Sequence, residues 1–226
     1  MVLSRVVELA QPQPHWLALD IGTGTGHTAF AIAPGVRWVF GLDLTPEMLA
    51  VARKEQRLNG VLNVTFEVGD AQQLPYDDKR FDLVTCRRTA HHFTSITQAL
   101  LEMKRVLVPG GRLVIDDRSV PEDDFIDGLM HELDRWHDHS HVRQYRPSRW
   151  LRFLEQAGFA VYAVEPYVQH RPLTAFTEGV GAEDVARINA RLDGLDADER
   201  RAIDLRVVDG QPHLNHWYVM LCANKL

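Results

Sequence analysis

The chain has 226 residues, 45% hydrophobic and 25% charged, the proportions of a folded globular protein rather than a disordered one. Lys and Arg total 25 against 31 Asp and Glu, a formal charge of −6 that argues against a generally basic nucleic-acid binder. Two distant cysteines, Cys86 and Cys222, exclude a disulfide framework, a four-cysteine zinc site and a three-cysteine radical cluster.

Short apolar or β-branched runs at 16–21, 37–42, 64–68, 81–86 and 112–116 alternate with helical patterns, clearest over 46–59 and 96–107. Thr45 is expected to cap the first of these helices, with Pro46 at the first helical position and Glu47 in the first turn. The runs are apolar on both faces, as parallel strands covered by helices are. Strict alternation of strand and helix predicts an α/β fold with a doubly wound sheet.

Beyond Asp117 the texture changes. Residues 121–138 read as a helix rich in charge, aromatic rings and histidine, and 146–157 as a second helix closed by Gly158. Residues 159–168 and 216–223 read as strands, with an amphipathic stretch over 183–205 broken at Asp193-Gly194. The expectation is one domain over 1–226, with a helical insertion after the fifth strand whose residues 121–150 form a lid. No apolar run approaches the roughly 18 residues of a membrane span. The N-terminal run is too short and too charged for a signal peptide, so a cytoplasmic protein is expected.

The richest segment is Leu17-Ala-Leu-Asp-Ile-Gly-Thr-Gly-Thr-Gly26. Its three alternating glycines let the backbone turn sharply from strand to helix and bring a ligand against the amides at the helix start. The spacing differs from the dinucleotide fingerprint Gly-x-Gly-x-x-Gly. Asp20 precedes the loop, where a carboxylate suits a cationic amino group. Asp43 ends the second strand, where an acid accepts both ribose hydroxyls. Asp70 follows the third strand and can receive an adenine amino group. An ammonium, a ribose and an adenine without phosphate describe S-adenosylmethionine.

Four motifs occur in order: Leu19-Asp-Ile-Gly-Thr-Gly-Thr-Gly26, Gly41-Leu-Asp-Leu-Thr-Pro-Glu-Met48, Gly69-Asp-Ala-Gln-Gln-Leu-Pro75 with Phe81-Asp-Leu-Val84, and Arg105-Val-Leu-Val-Pro-Gly-Gly-Arg112. With them the sequence resembles the class I S-adenosylmethionine-dependent methyltransferases, in the small-molecule branch of the ubiquinone/menaquinone-biosynthesis C-methyltransferases. The resemblance implies a seven-stranded, mostly parallel sheet in the order 3-2-1-4-5-7-6, its last strand antiparallel. It implies that Gly22, Thr23, Gly24 and Gly26 wrap the methionine part, Asp43 and Leu44 the ribose side, and Asp70 and Ala71 the adenine, with Arg87 also near the cofactor. Many relatives carry a longer N-terminal segment over the site, so a more open pocket is one expectation.

His91 and His92 follow the fourth strand, beside the expected position of the transferable methyl, and are the candidate proton acceptors. Packing the start of the next helix is their other reading. The base-methylating motif Asn/Asp-Pro-Pro-Tyr/Phe is absent at this position, which counts against a nucleic-acid acceptor. His131, Asp134, His137 and His141 would share a face if one helix held all four. Ordinary hydrogen-bonded histidines outweigh a metal there, and Arg135 breaks His-Glu-x-x-His, so no metal is assigned. Arg88, His131, His141 and Arg143 are the candidate acceptor contacts, and Phe125, Met130, Trp136 and Tyr145 the apolar wall. The function expected is methyl transfer to carbon or oxygen of a small organic acceptor. A catalytically silent protein of the same fold is the alternative, and a homodimer is an open assembly.

Overall fold

Early strands that are apolar on both faces require helices on both sides, and the sheet is built in that way. The computed structural model describes residues 2–226. Helix α1 (Val2–Ala10) leads to strand β1 (Leu17–Ile21), and the glycine loop turns into α2 (His27–Ile32). Next come β2 (Trp38–Asp43), α3 (Pro46–Leu58) and β3 (Val64–Val68). The parallel part closes with β4 (Phe81–Arg87), α4 (Ile96–Val106) and β5 (Leu107–Arg118). Helices α5 (Asp124–His137) and α6 (Pro147–Ala157) precede β6 (Phe159–Pro172). Three helices, α7 (Thr174–Thr177), α8 (Ala182–Asp193) and α9 (Ala197–Ala202), then lead into the hairpin of β7 (Arg206–Val208) and β8 (Gln211–Lys225).

The strand order is β3-β2-β1-β4-β5-β8-β6, with short β7 pairing onto β8. This is the expected order, with β8 in the place of the seventh strand and running antiparallel to both neighbours. The addition is β7, whose three residues are too few to show a period in sequence. Register aligns the ends of the inner strands: Ile21 faces Leu42 and Asp43 faces Val68. The segments that follow, beginning at Gly22, Leu44 and Gly69, therefore emerge together at one edge of the sheet, the usual ligand edge of an open α/β fold.

Three apolar clusters hold the layers. One, around Leu100, Phe81 and Trp150, joins the sheet to α4 and α6. A second, around Val6, Ile32 and Leu49, joins the other face to α1, α2 and α3. So α1 packs against the sheet instead of reaching over the ligand edge. The third gathers Met130, Leu133, Phe176, Ile188 and Leu214 from α5, α7, α8 and β8. The helical addition thus has two parts, one after β5 and one after β6, tied by a core of their own. The partners lie far apart in sequence, so no local pattern announces this. Met130 is buried in that core, with Phe125 and Trp136 against it, while Tyr145 packs against Trp150 and Phe153.

Thr45 takes the N-cap position of α3 but its side chain makes no capping bond. The Thr45 amide donates instead to Asp43 Oδ1 at 2.9 Å. Gly158 closes α6 at φ 83°, in the left-handed region expected of it. Among the described residues, no helix is long and apolar enough to cross a membrane.

Candidate cofactor and acceptor site

The glycine loop is held from beneath by two carboxylates. Asp20, 1% exposed, accepts the hydroxyl of Thr23 at 2.7 Å and that of Thr85 on β4 at 2.7 Å. Burial pushes its carboxyl up to about 6, against the opposing pull of the two threonine bonds. Asp43 Oδ2 accepts the Gly24 amide at 2.8 Å. Asp70 Oδ1 accepts the Gln72 amide at 2.8 Å, which fixes the turn after β3.

Above this floor lies a cavity of about 540 Å³, within the usual range for small-molecule sites. Its cofactor side is lined by Gly22, Gly24, Asp43, Leu44, Asp70 and Ala71. The far wall carries Arg88, Thr89, His92, Phe93, Asp138 and Ser140. A Cβ built on Gly24 would point into open space, whereas one on Gly22 would collide with Thr89. The residues fit S-adenosylmethionine: free backbone at Gly24, carboxylates at the ends of β2 and after β3, and an exposed apolar Leu44 to lie against a ring.

The other expected contacts lie outside this lining. Asp20 and Thr23 are buried below the loop, and Gly26 is the N-cap of α2. Arg87 Nε donates to Thr28 Oγ1 at 2.8 Å. Arg88 does line the cavity, but its charge is engaged. Its Nε lies 3.1 Å from Asp116 Oδ2, its Nη2 donates to the Tyr167 hydroxyl at 2.8 Å, and Cζ sits 3.6 Å over the Tyr218 ring. Burial works against that charge, yet Asp116 and the two tyrosines hold it firmly protonated. Arg88 also sits at φ 57°, a left-handed conformation that costs a non-glycine residue roughly 1–2 kcal/mol.

His91 and His92 separate in role. His91 is buried; its amide donates to Asp117 Oδ2 at 2.9 Å and its Nδ1 lies 2.5 Å from Asp117 Oδ1. Burial opposes the Asp117 charge, but His91 and the Arg118 amide keep that carboxyl below its ordinary value. The His92 ring lies against His91, centroids 4.0 Å apart and planes tilted by 43°, and reaches the cavity wall. His92 Nδ1 lies 3.2 Å from the Ser140 carbonyl oxygen. Ser140 Oγ lies 3.0 Å from the same nitrogen, and Nε2 lies 3.9 Å from Asp138 Oδ2. Burial lowers the His92 pKa below 6.5, helped by neighbouring His91.

His131, His141 and Arg143 lie behind this wall rather than on it. His141 is buried, with Nε2 2.7 Å from Gln144 Oε1, and burial carries its pKa down to about 3. Its ring centroid is 5.6 Å from both His91 and His131. Arg143 pairs with Asp127 at 2.6 Å. Asp134 is buried against Arg118, and α5 ends at His137, so the four-residue His/Asp face does not form. Among the described residues, no group of three or more His, Cys, Asp or Glu side chains could hold a metal. Thr85, Asp117 and Ser140 were not singled out from sequence; only the paired acids Asp116-Asp117 ending β5 offered a visible signal.

A sheet of this order, with a glycine loop and acids at successive strand ends, defines the class I S-adenosylmethionine-dependent methyltransferases. A family model described as a methyltransferase domain matches residues 14–158, and the chain belongs to that family. It is similar to the uncharacterized methyltransferase YcgJ of Bacillus subtilis, 41% identical over 165 residues, which are 73% of this chain and 65% of that protein. The crystal structure of YcgJ superposes with a TM-score of 0.93 at 31% identity, covering 99% of this chain and 97% of that one. A demethylmenaquinone methyltransferase of Deinococcus radiodurans is 47% identical over 100 residues, 43% of this chain and 41% of that protein. The chain thus spans less than two thirds of the length of these two curated relatives in sequence. Family and fold together make it a member of the S-adenosylmethionine-dependent methyltransferase fold family.

Proposed function

We propose that the chain transfers the methyl group to carbon or oxygen of a small organic acceptor with an ionisable hydroxyl or enol. The observation that carries this reading is a single cavity joining Asp43 and Asp70 to His92 and Ser140. When bound, S-adenosylmethionine supplies an electrophilic methyl on a sulfonium. Gly22 and Gly24 would let the backbone approach the cofactor, and Asp43 would accept its ribose hydroxyls. His92 would take the proton released by the acceptor's hydroxyl or enol. His91, locked by Asp117, acts as a positioning residue that fixes the plane of the His92 ring. Phe93 lends an apolar wall, which favours a flat ring. Much of the acceleration comes from orientation in a site shielded from water.

The name of the Deinococcus radiodurans relative supports a quinol-like ring as acceptor. Phenol-like acceptors share the acidic hydroxyl that His92 would deprotonate. The test is a panel of naphthoquinols, catechols and enolic acids, with S-adenosylmethionine, read by mass spectrometry for an added methyl. Methylation of at least one hydroxylated ring is expected. S-adenosylhomocysteine binding without any methylated product would favour cofactor binding without turnover.

A further inference from the structure

A second cavity, of about 330 Å³, opens beside the N-terminal end of α6, away from the cofactor loops. Four arginines line it, Arg143, Arg146, Arg149 and Arg152, against two carboxylates, Glu122 and Asp127. Asp127 braces the inner pair: its oxygens lie 2.6 Å from Arg143 Nη2 and 3.0 Å from Arg146 Nε. The outer pair is free. Among the described residues neither Arg149 nor Arg152 has an ion-pair partner, although Arg149 rests 4.8 Å from the Phe153 ring centroid.

A buried side chain also lines the cavity. Gln144 is 1% exposed and lines this cavity, yet its Nε2 has no hydrogen-bond partner. Its Oε1 is fixed by His141 at 2.7 Å, so the amide cannot turn to satisfy both ends. Four guanidinium groups against two carboxylates leave the lining short of acceptor oxygens. Glu122 supplies two such oxygens at the rim, but they are taken by the Ser148 amide and hydroxyl, each at 2.9 Å.

We infer that this cavity is a second binding site, for a compact phosphoryl or diphosphoryl group. Phosphate oxygens match the guanidinium forks of Arg149 and Arg152, which present two donors each to one anion. The anion can arrive as a free inorganic ion or as part of an organic ester, and Tyr145 on the cavity wall offers the ester a ring to lie against. The inference does not rest on methyl transfer.

Isothermal titration of the whole chain with inorganic pyrophosphate, at fixed ionic strength, tests it. Saturable binding is expected in the wild type. It should weaken roughly tenfold or more in Arg149→Ala/Arg152→Ala, whose exposed side chains leave the core untouched. Glu122→Gln should tighten it, because one opposing charge leaves the rim. S-adenosylhomocysteine affinity, measured on the same variants, should not change. Phenyl phosphate binding more tightly than inorganic phosphate would assign the anion to an organic ester, and equal binding to the free ion. Absence of saturable binding, or equal pyrophosphate affinity in wild type and the double variant, overturns the inference.

Discussion

Asp43 reaches back across the ligand edge to the glycine loop, where its Oδ2 accepts the Gly24 amide at 2.8 Å. One carboxylate therefore both shapes the loop and faces the cavity. Asp43→Ala should weaken S-adenosylhomocysteine binding by roughly 1.5–3 kcal/mol, the range for hydrogen bonds to a charged group. Calorimetry on the folded variant checks this, and unchanged affinity would remove Asp43 from the cofactor site.

The two loop glycines should respond differently to a methyl group. Gly24→Ala meets no neighbour but must hold φ 53°, so it should fold with a loss of about 1–2 kcal/mol. Its Cβ would occupy the cofactor's space and abolish binding. Gly22→Ala meets the Thr89 side chain at once and should lose more stability. Chemical denaturation beside a cofactor titration separates the two effects; equal stability losses would contradict the geometry.

Thr85→Val keeps the shape of β4 but removes one of the two hydroxyls that Asp20 accepts. A buried carboxylate raised to about 6 is more stable in its protonated form, so its contribution to folding is greatest below the unfolded value and shrinks as pH rises through 6. Loss of Thr85 should raise that pKa further. The variant is expected to be destabilised by about 1–3 kcal/mol at pH 8 and by less at pH 5. A penalty independent of pH would show that Asp20 is not the group affected.

His92→Gln should reduce turnover about 10²-fold or more while leaving cofactor affinity intact. Because burial lowers the His92 pKa below 6.5, the ring is neutral at pH 7, and the acid limb of the wild-type rate should lie below pH 6.5. Asp117→Asn should also slow turnover, by releasing the His91 ring. Loss of folding or of cofactor binding in His92→Gln, without a separate loss of rate, would make these rings packing elements.

His216 is 1% exposed, stacks on Phe176 and has neither ring nitrogen bonded. Burial, with Arg118 and Arg171 nearby, lowers its pKa to about 2. The unfolded histidine takes up a proton near pH 6.5 and the folded one does not. Its contribution to stability is thus full above that pH and falls as the solution is acidified, by up to about 1.4 kcal/mol per pH unit. His216→Phe should be more stable at pH 7 by about 1–3 kcal/mol and should lose less below pH 6.5. Parallel denaturation curves at pH 7 and pH 5 decide it.

The sheet and the cofactor edge were legible because their signals are local. Glycine spacing, Asp43 closing one strand and Asp70 following another each sit within a few residues of the feature they report. The acceptor side was not, because its partners come together only in the fold. Arg88 is tied to Asp116 and Tyr167 instead of standing free, and even beneath the cofactor loop Asp20 binds Thr85, distant in the chain. Helical spacing placed His141 beside His131 and His137, but α5 stops at His137. The rings of His131 and His141 still meet, through a return of the chain that periodicity does not describe.

Strand β8 lies between β5 and β6, and also receives β7. Its ladder with β6 runs from Lys225 to His213, well past Tyr218, where pairing with β5 ends. The overhang carries Leu214 into the third apolar cluster. A growing polypeptide that has emerged only as far as β7 therefore holds two open edges and a helical cluster without its floor. Such an intermediate can offer those edges to other chains, so aggregation during synthesis should be sensitive to pauses just before residue 211. Sheet and helical cluster both wait on that late strand, and Arg88 on the cavity wall rests on its Tyr218.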